Sequence, residues 1–318
     1  MERVVALSGG VGGAKLALGL YRVLPANSLS VIANPGDDFE HLGLTIWPDF
    51  DTLLYTLSGL AHPEQGWGRA GETGTFMAAL KALGGEDWFF LGDGDLATHV
   101  ERTRRLRAGQ RPAEIARAVV SRLGIAAALL PASDQPVRTE VLTAQGPLAF
   151  QHYFVRERCR PSVTGFRFQG AEAATPSPEV LDALTMPGLA AIVICPSNPF
   201  ISVDPMLAIP GFRAALRRSG APIVAVSPIV GGQAIKGPTA KMLGELGQES
   251  SPVAIARHYG DLLTGIVLDE QDAPLAPSVA QLGIAVACLP TIMRSLAERE
   301  CLAAGVLAFA RCLPAGLR

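Results

Sequence analysis

Short apolar runs alternate with amphipathic stretches along this chain, and each run closes in a turn rich in Gly, Pro or Asp. That alternation leaves few folds open. Strands buried on both faces read as unbroken apolar runs, and parallel neighbours need a crossover between them, usually a helix. The expected class is therefore α/β: a Rossmann-like, mainly parallel sheet with helices on both faces and a β-rich insertion.

In the N-terminal third, Val4–Leu7 reads as a strand, Ser8–Gly13 as a loop, Lys15–Leu24 as a helix, Ser30–Ala33 as a second strand and Asn34–Gly43 as a loop. Asp51 can cap a helix beginning at Thr52, and a helix from about Thr75 can stop at Gly84 and Gly85. Trp88–Leu91 reads as a strand, followed by helices over Ala97–Arg107 and Pro112–Leu123. Between about Pro136 and Arg167 the pattern turns β-type, with Arg138–Thr143 and Leu148–Val155 as a plausible hairpin. The α/β rhythm then returns through strands Ala190–Cys195, Ile223–Val226 and Ile266–Leu268 and a last helix Arg294–Ala310. The expected organisation is one domain over residues 1–318 with an insertion or cap over 136–167.

Composition excludes several functions. Of 318 residues, 49% are apolar and 18% charged, so the chain can build a large core. A net charge of −2 offers no field for nucleic acid. The run Arg102, Arg104, Arg105 and Arg107, with Glu101, reads as a solvated helix face. The five cysteines form no metal-type pair and no disulfide framework. Without a signal-like or spanning apolar stretch, the expected location is the cytoplasm, with no membrane partner.

Ligands of open α/β sheets bind beyond the carboxyl ends of the strands, so the loops there matter most. Ser8-Gly-Gly-Val-Gly-Gly13 leads into a helix and can bring backbone N–H groups to a phosphate, with Lys15 adding charge. It lacks P-loop spacing. It also departs from the dinucleotide fingerprint, since Lys15 stands at the third glycine position and the second strand ends in Ala33-Asn34. That counts against a nicotinamide-dependent oxidoreductase. Asp37, Asp38, Asp49, Asp51, Asp93 and Asp95 fall in loops on one expected edge, where gathered carboxylates suit magnesium shared with substrate phosphates. Some of these acids serve only as caps, Asp95 among the candidates. His41 and His99 can each face the crevice or be structural. No covalent nucleophile is indicated.

Together, Ser8-Gly-Gly-Val-Gly-Gly-Ala-Lys15, Asn34-Pro-Gly-Asp-Asp-Phe39, Pro48-Asp-Phe-Asp-Thr52, Gly66-Trp-Gly68, Leu91-Gly-Asp-Gly-Asp-Leu-Ala-Thr-His99, Pro196-Ser-Asn-Pro199 and Val226-Ser-Pro-Ile-Val-Gly-Gly232 resemble the 2-phospho-L-lactate transferase family of coenzyme F420 biosynthesis. The resemblance spans nearly the whole chain. It implies a magnesium-dependent, usually dimeric enzyme in which the terminal ribityl hydroxyl of the deazaflavin Fo attacks the distal phosphorus of a guanosine-diphosphate-linked three-carbon acid, releasing GMP. Carried over by position, it makes Asp37 and Asp51 the metal-binding and catalytic pair, and gives Asp49, Asp51, Asp93 and His99 to Fo. It gives Gly10, Gly12, Gly13 and Lys15 to the diphosphate, and Ser197, Asn198, Ser227 and Gly231 to the guanosine portion. Asp51→Ala is then expected to abolish activity with the fold intact.

Two departures stand out: Gly94 lies where many relatives carry Lys or Arg, and the first loop reads Val-Gly-Gly-Ala-Lys where others have Thr-Gly-Thr-Pro-Lys. The second leaves open whether the donor carries lactate, enolpyruvate or glycerate. A related family of nucleotide-sugar-binding regulatory proteins shares the opening and the fold, but its second loop reads Asp-Asp-Gly-Gly-Ser-Ser-Gly, where this chain has Asp37-Asp38-Phe39-Glu40-His41.

Overall fold

A computed structural model describes residues 2–314. Seven parallel strands form the central sheet in the spatial order 285–289, 265–269, 223–226, 189–194, 3–8, 29–33 and 128–131. Counted along the chain this is 7-6-5-4-1-2-3, the doubly wound order with one strand added, and it reverses between Arg3–Ser8 and Leu189–Ile194. The two outermost strands, Ala128–Pro131 and Ala285–Leu289, have no counterpart among the expected ones, whereas Trp88–Leu91 is irregular.

Successive residues of a strand point to opposite faces, and the core divides accordingly. Val5, Leu7, Ile192, Ile194 and Ile266 belong to one apolar cluster; Val4, Ala6, Ala191, Val193 and Val267 belong to another. Helix α1 (Gly10–Val23), helix α2 (Pro48–Ser58) and the last helix, Leu296–Arg311, cover the second face. Helix α1 starts five residues before the expected Lys15, because Gly9 acts as its N-cap in extended conformation.

Helix α3 (Thr75–Ala82) and helix α4 (Asp93–Arg107) follow α2. Further on, strands Arg138–Thr143, Gly146–Ala149 and Val163–Gln169 make a small antiparallel sheet with the first of them central. The expected second strand, Leu148–Val155, is cut short by a π-turn at His152–Arg156. Phe166 stacks on Phe200 at 5.4 Å, and Thr139 N–H donates to the Gly36 carbonyl at 2.8 Å, so this sheet is fastened beside the Asp37 loop. Among the described residues no helix is long and apolar enough to cross a membrane.

Candidate active site

The crevice where the strand order reverses opens into a cavity of about 830 Å³. The turn from Arg3–Ser8 into α1 lines it through Gly9, Gly10, Val11 and Gly12. A Cβ on Gly9 would lie 2.7 Å from Asp49 Oδ2, and one on Gly12 would lie 2.6 Å from the Pro196 carbonyl oxygen, so both positions need glycine for close approach. Ser197 Oγ accepts from Gly9 N–H at 3.2 Å and donates to the Gly9 carbonyl at 2.8 Å, joining the loops of the two switch-point strands.

Asn34, at the end of the second strand, organises the acids. Its side-chain amide lies 3.1 Å from Asp37 Oδ1, 2.8 Å from Asp49 Oδ2 and 3.0 Å from the Ile201 carbonyl. Asp49 Oδ1 also accepts from Gly10 N–H at 2.6 Å, at the N-terminus of α1. Burial pushes the Asp49 carboxyl up to about 6 against these hydrogen bonds. Asp37 is held well above the usual carboxylate range by burial, then by Asp49 and Asp38. Asp38 is raised as well, chiefly by burial, although Arg102 opposes the rise, and its Oδ1 is buried without a partner. Crowded, desolvated carboxylates with an orphaned oxygen fit a divalent cation that prefers hard oxygen ligands.

A second group lies between α2 and α4. Asp51 is expected as a cap but sits inside the first turn of α2, and both its oxygens accept from the buried guanidinium of Arg102. Arg102 also stacks over Trp47, 4.3 Å from the ring centre. The reading of the arginine run as solvated therefore fails at this one member, while Arg104 and Arg105 pair with Glu101 as expected of a surface. His99 Nδ1 lies 3.6 Å from Asp51 Oδ2, and its Nε2 lies 3.2 Å from Asp95 Oδ2. Tyr55 donates to Asp95 Oδ1. Burial works against charge on Asp95, but His99, Tyr55 and Arg102 outweigh it and hold the carboxyl below its usual value. Asp51, Asp95 and His99 each offer a ligand atom within 4.8 Å of the others.

Not every expected residue reaches the cavity. Asp93 does not line it: its carboxylate accepts from Thr75 and Phe76 N–H groups at 3.2 and 3.0 Å and caps α3. Gly231 also lies off the lining, its N–H turned to Asp272 at 3.1 Å, and Gly13 packs against Ser8 and Ser197 beneath the loop. Ser227 lines the wall with its hydroxyl engaged by Ile229, and Asn198 lines it while capping Phe200 N–H. Lys15 faces the cavity and donates to the Met293 carbonyl at 2.8 Å. His41 is buried among Phe39, Trp88 and Phe89, and desolvation lowers its basicity, which makes it structural. The cation missing at Gly94 has a neighbour in its place, since Arg69 Nη1 donates to the Gly94 carbonyl at 3.2 Å.

Sequence reasoning passed over Asn34, Tyr55 and Arg102, and an aromatic wall of Trp67, Trp88, Phe90, Phe150 and Phe154. Phe150 and Phe154 lie just before and within the π-turn inside the β-rich segment, which places that segment against the cavity.

Comparison with known proteins points to a family. The family model described as 2-phospho-L-lactate transferase CofD matches residues 4–281. A phosphoenolpyruvate transferase of Kitasatospora aureofaciens is 40% identical over 315 residues, 97% of this chain and 98% of its own. One from Streptomyces griseus subsp. griseus is 41% identical, covering 92% and 93%, and one from Thermobifida fusca is 39% identical, covering 95% and 96%. A crystal structure of a UPF0052-family protein of Bacillus halodurans superposes with a TM-score of 0.64 at 17% identity, over 96% of this chain and all of the other, a likeness of fold.

Proposed function

The chain belongs to the 2-phospho-L-lactate transferase CofD family, and from that premise we propose that it joins a phospho-three-carbon acid to the deazaflavin Fo during coenzyme F420 biosynthesis. The donor is a guanosine-diphosphate-linked acid, and GMP leaves. Among the three candidate acids we favour enolpyruvate, because the similar curated proteins carry the name phosphoenolpyruvate transferase. The enzyme acts as a homodimer, as the resemblance implies, and light scattering of the purified protein checks the assembly; a cytoplasmic location remains the expectation from sequence.

The observation that carries this reading is what one cavity brings together: a glycine-rich turn with Lys15, suited to a diphosphate, carboxylates set against that turn, and aromatic side chains suited to a flat ring with a polyhydroxylated tail. Gly10 and Gly12 bring backbone to the donor phosphates, with Gly13 supporting the turn. Ser197, Asn198 and Ser227 flank the guanosine portion. Trp88 and Phe154 pack on the deazaflavin, and His99 and Asp95 position the ribityl chain.

Asp37 and Asp51, with Asp49 beside them, would hold magnesium, which when bound neutralises charge on the phosphate oxygens. Arg102 fixes the Asp51 carboxylate, whose oxygens retain further lone pairs to accept a hydrogen bond from the attacking hydroxyl. The hydroxyl oxygen forms a bond to the distal phosphorus as the bond to the GMP oxygen breaks, and the proton passes by way of Asp51 to water. Positioning and charge neutralisation supply the acceleration.

The test is an assay of the purified protein with Fo, magnesium and each guanylylated acid, following GMP and the deazaflavin product by mass spectrometry. Product from the enolpyruvate donor is expected. Product from the lactate or glycerate donor alone would correct the acid. No product from folded protein that binds a nucleotide-sugar would overturn the transferase reading in favour of the regulatory one.

A further inference from the structure

Lys15, Lys236 and Arg294 all line the cavity, yet no ion pair with a carboxylate engages any of them among the described residues. Burial, then Arg299 and Lys236, lower the basicity of Lys15, with Glu298 opposing them, so cations crowd on this wall with no carboxylate in direct contact. Such a wall is matched to a polyanion.

Lys236 differs from the other two in what it holds. Its Nζ donates to the Gln65 carbonyl at 3.1 Å, across the cavity mouth. Gln65 is at the tip of the segment 61–70, which closes on itself through His62 N–H to the Gly68 carbonyl and Ala70 N–H to the Leu60 carbonyl. Gly66 and Gly68 adopt left-handed conformations, and a Cβ on Gly66 would lie 2.7 Å from Val11 Cγ1, so the tip rests on the glycine-rich turn. The next residue, Trp67, is 50% exposed and contributes to the aromatic wall. One short segment thus touches the diphosphate turn, a wall cation and the acceptor side.

We propose that Lys236 couples the two substrate subsites: its ammonium keeps one N–H on the Gln65 carbonyl, gives the others to the donor's diphosphate, and so holds Trp67 over the acceptor. This rests on the proposed function above and adds a residue and a linkage to it. An ammonium has three donors, enough for both partners at once. Coupling between sites is reciprocal, so a bound diphosphate tightens Fo and bound Fo tightens the diphosphate by the same factor.

The test uses the full chain, GDP as the probe of the donor site, and fluorescence titration of Fo with and without GDP. For the unaltered protein GDP is expected to tighten Fo about tenfold, and to slow hydrogen exchange in 61–70. With GDP at saturating concentration, Lys236→Met should remove both effects of GDP, and Lys236→Arg should restore them, which loss of fold would not do. Equal coupling in Lys236→Met, or none in an unaltered protein that binds GDP and Fo, overturns the proposal alone. Failure of the unaltered protein to bind either probe overturns the transferase reading together with it.

Discussion

Arg102 and Asp51 form a pair of charges almost wholly removed from water, 3% and 5% exposed. Removing either partner strands the other, at a cost of roughly 3–5 kcal/mol. The expectation that Asp51→Ala leaves the fold intact therefore needs correction: lost activity in that variant would be confounded with lost stability. Asp51→Asn keeps the shape and one acceptor and is the better probe of chemistry, with activity expected to fall at least a hundredfold, the usual scale for a positioned charge. Urea unfolding should show Arg102→Leu losing several kcal/mol; a loss under 1 kcal/mol would mean the pair is hydrated. The raised carboxyls make a second prediction. A group whose folded value lies above its unfolded one keeps protons that the unfolded chain releases, so stability falls as pH rises through that interval. For Asp49 the interval runs from 3.8 to about 6, and Asp37 and Asp38 shift in the same direction. The melting temperature of metal-free protein should drop between pH 4.5 and 6.5, and magnesium should recover more of it at pH 7.5 than at 5. Equal recovery at both values would place the metal elsewhere.

Helices α2 and α4 build much of the site by spacing alone. Asp51 and Tyr55 are four residues apart, as are Asp95 and His99, so each pair shares one face, and the two faces meet. These acids were legible as a set, but their roles were not: a carboxylate at a helix start reads the same whether it caps its own helix or reaches across to another. Asp93 and Asp95, two residues apart at the start of α4, both reach across, Asp93 to cap α3 and Asp95 to Tyr55 of α2. Asp93→Ala should lower the melting temperature slightly by uncapping α3 and leave kcat near that of the unaltered enzyme; a large loss of kcat with stability preserved would return Asp93 to the site. Arg102 was hidden because its neighbours Arg104 and Arg105 obey the surface pattern and only the helical angle separates them. Trp88–Leu91 misled because an aromatic run that packs around His41 and His152 has the composition of a strand.

At the scale of the molecule, the parallel sheet and its crevice were readable, since strands such as Ile223–Val226 are buried on both faces and bear no polar residue. The outer strands were not, because an edge strand such as Ala285–Leu289 is half-buried and rich in alanine, with weak contrast to its surroundings. The resemblance to a family supplied substrates that no periodicity could provide. One hydroxyl has a further consequence for how the whole enzyme moves. Ser197 grips both polar groups of the Gly9 peptide across the line where the winding of the sheet reverses. The two halves of the sheet are thereby riveted at the point where a clamshell would need its hinge. The interior is an anvil of fixed width, and traffic through it belongs to the peripheral loops.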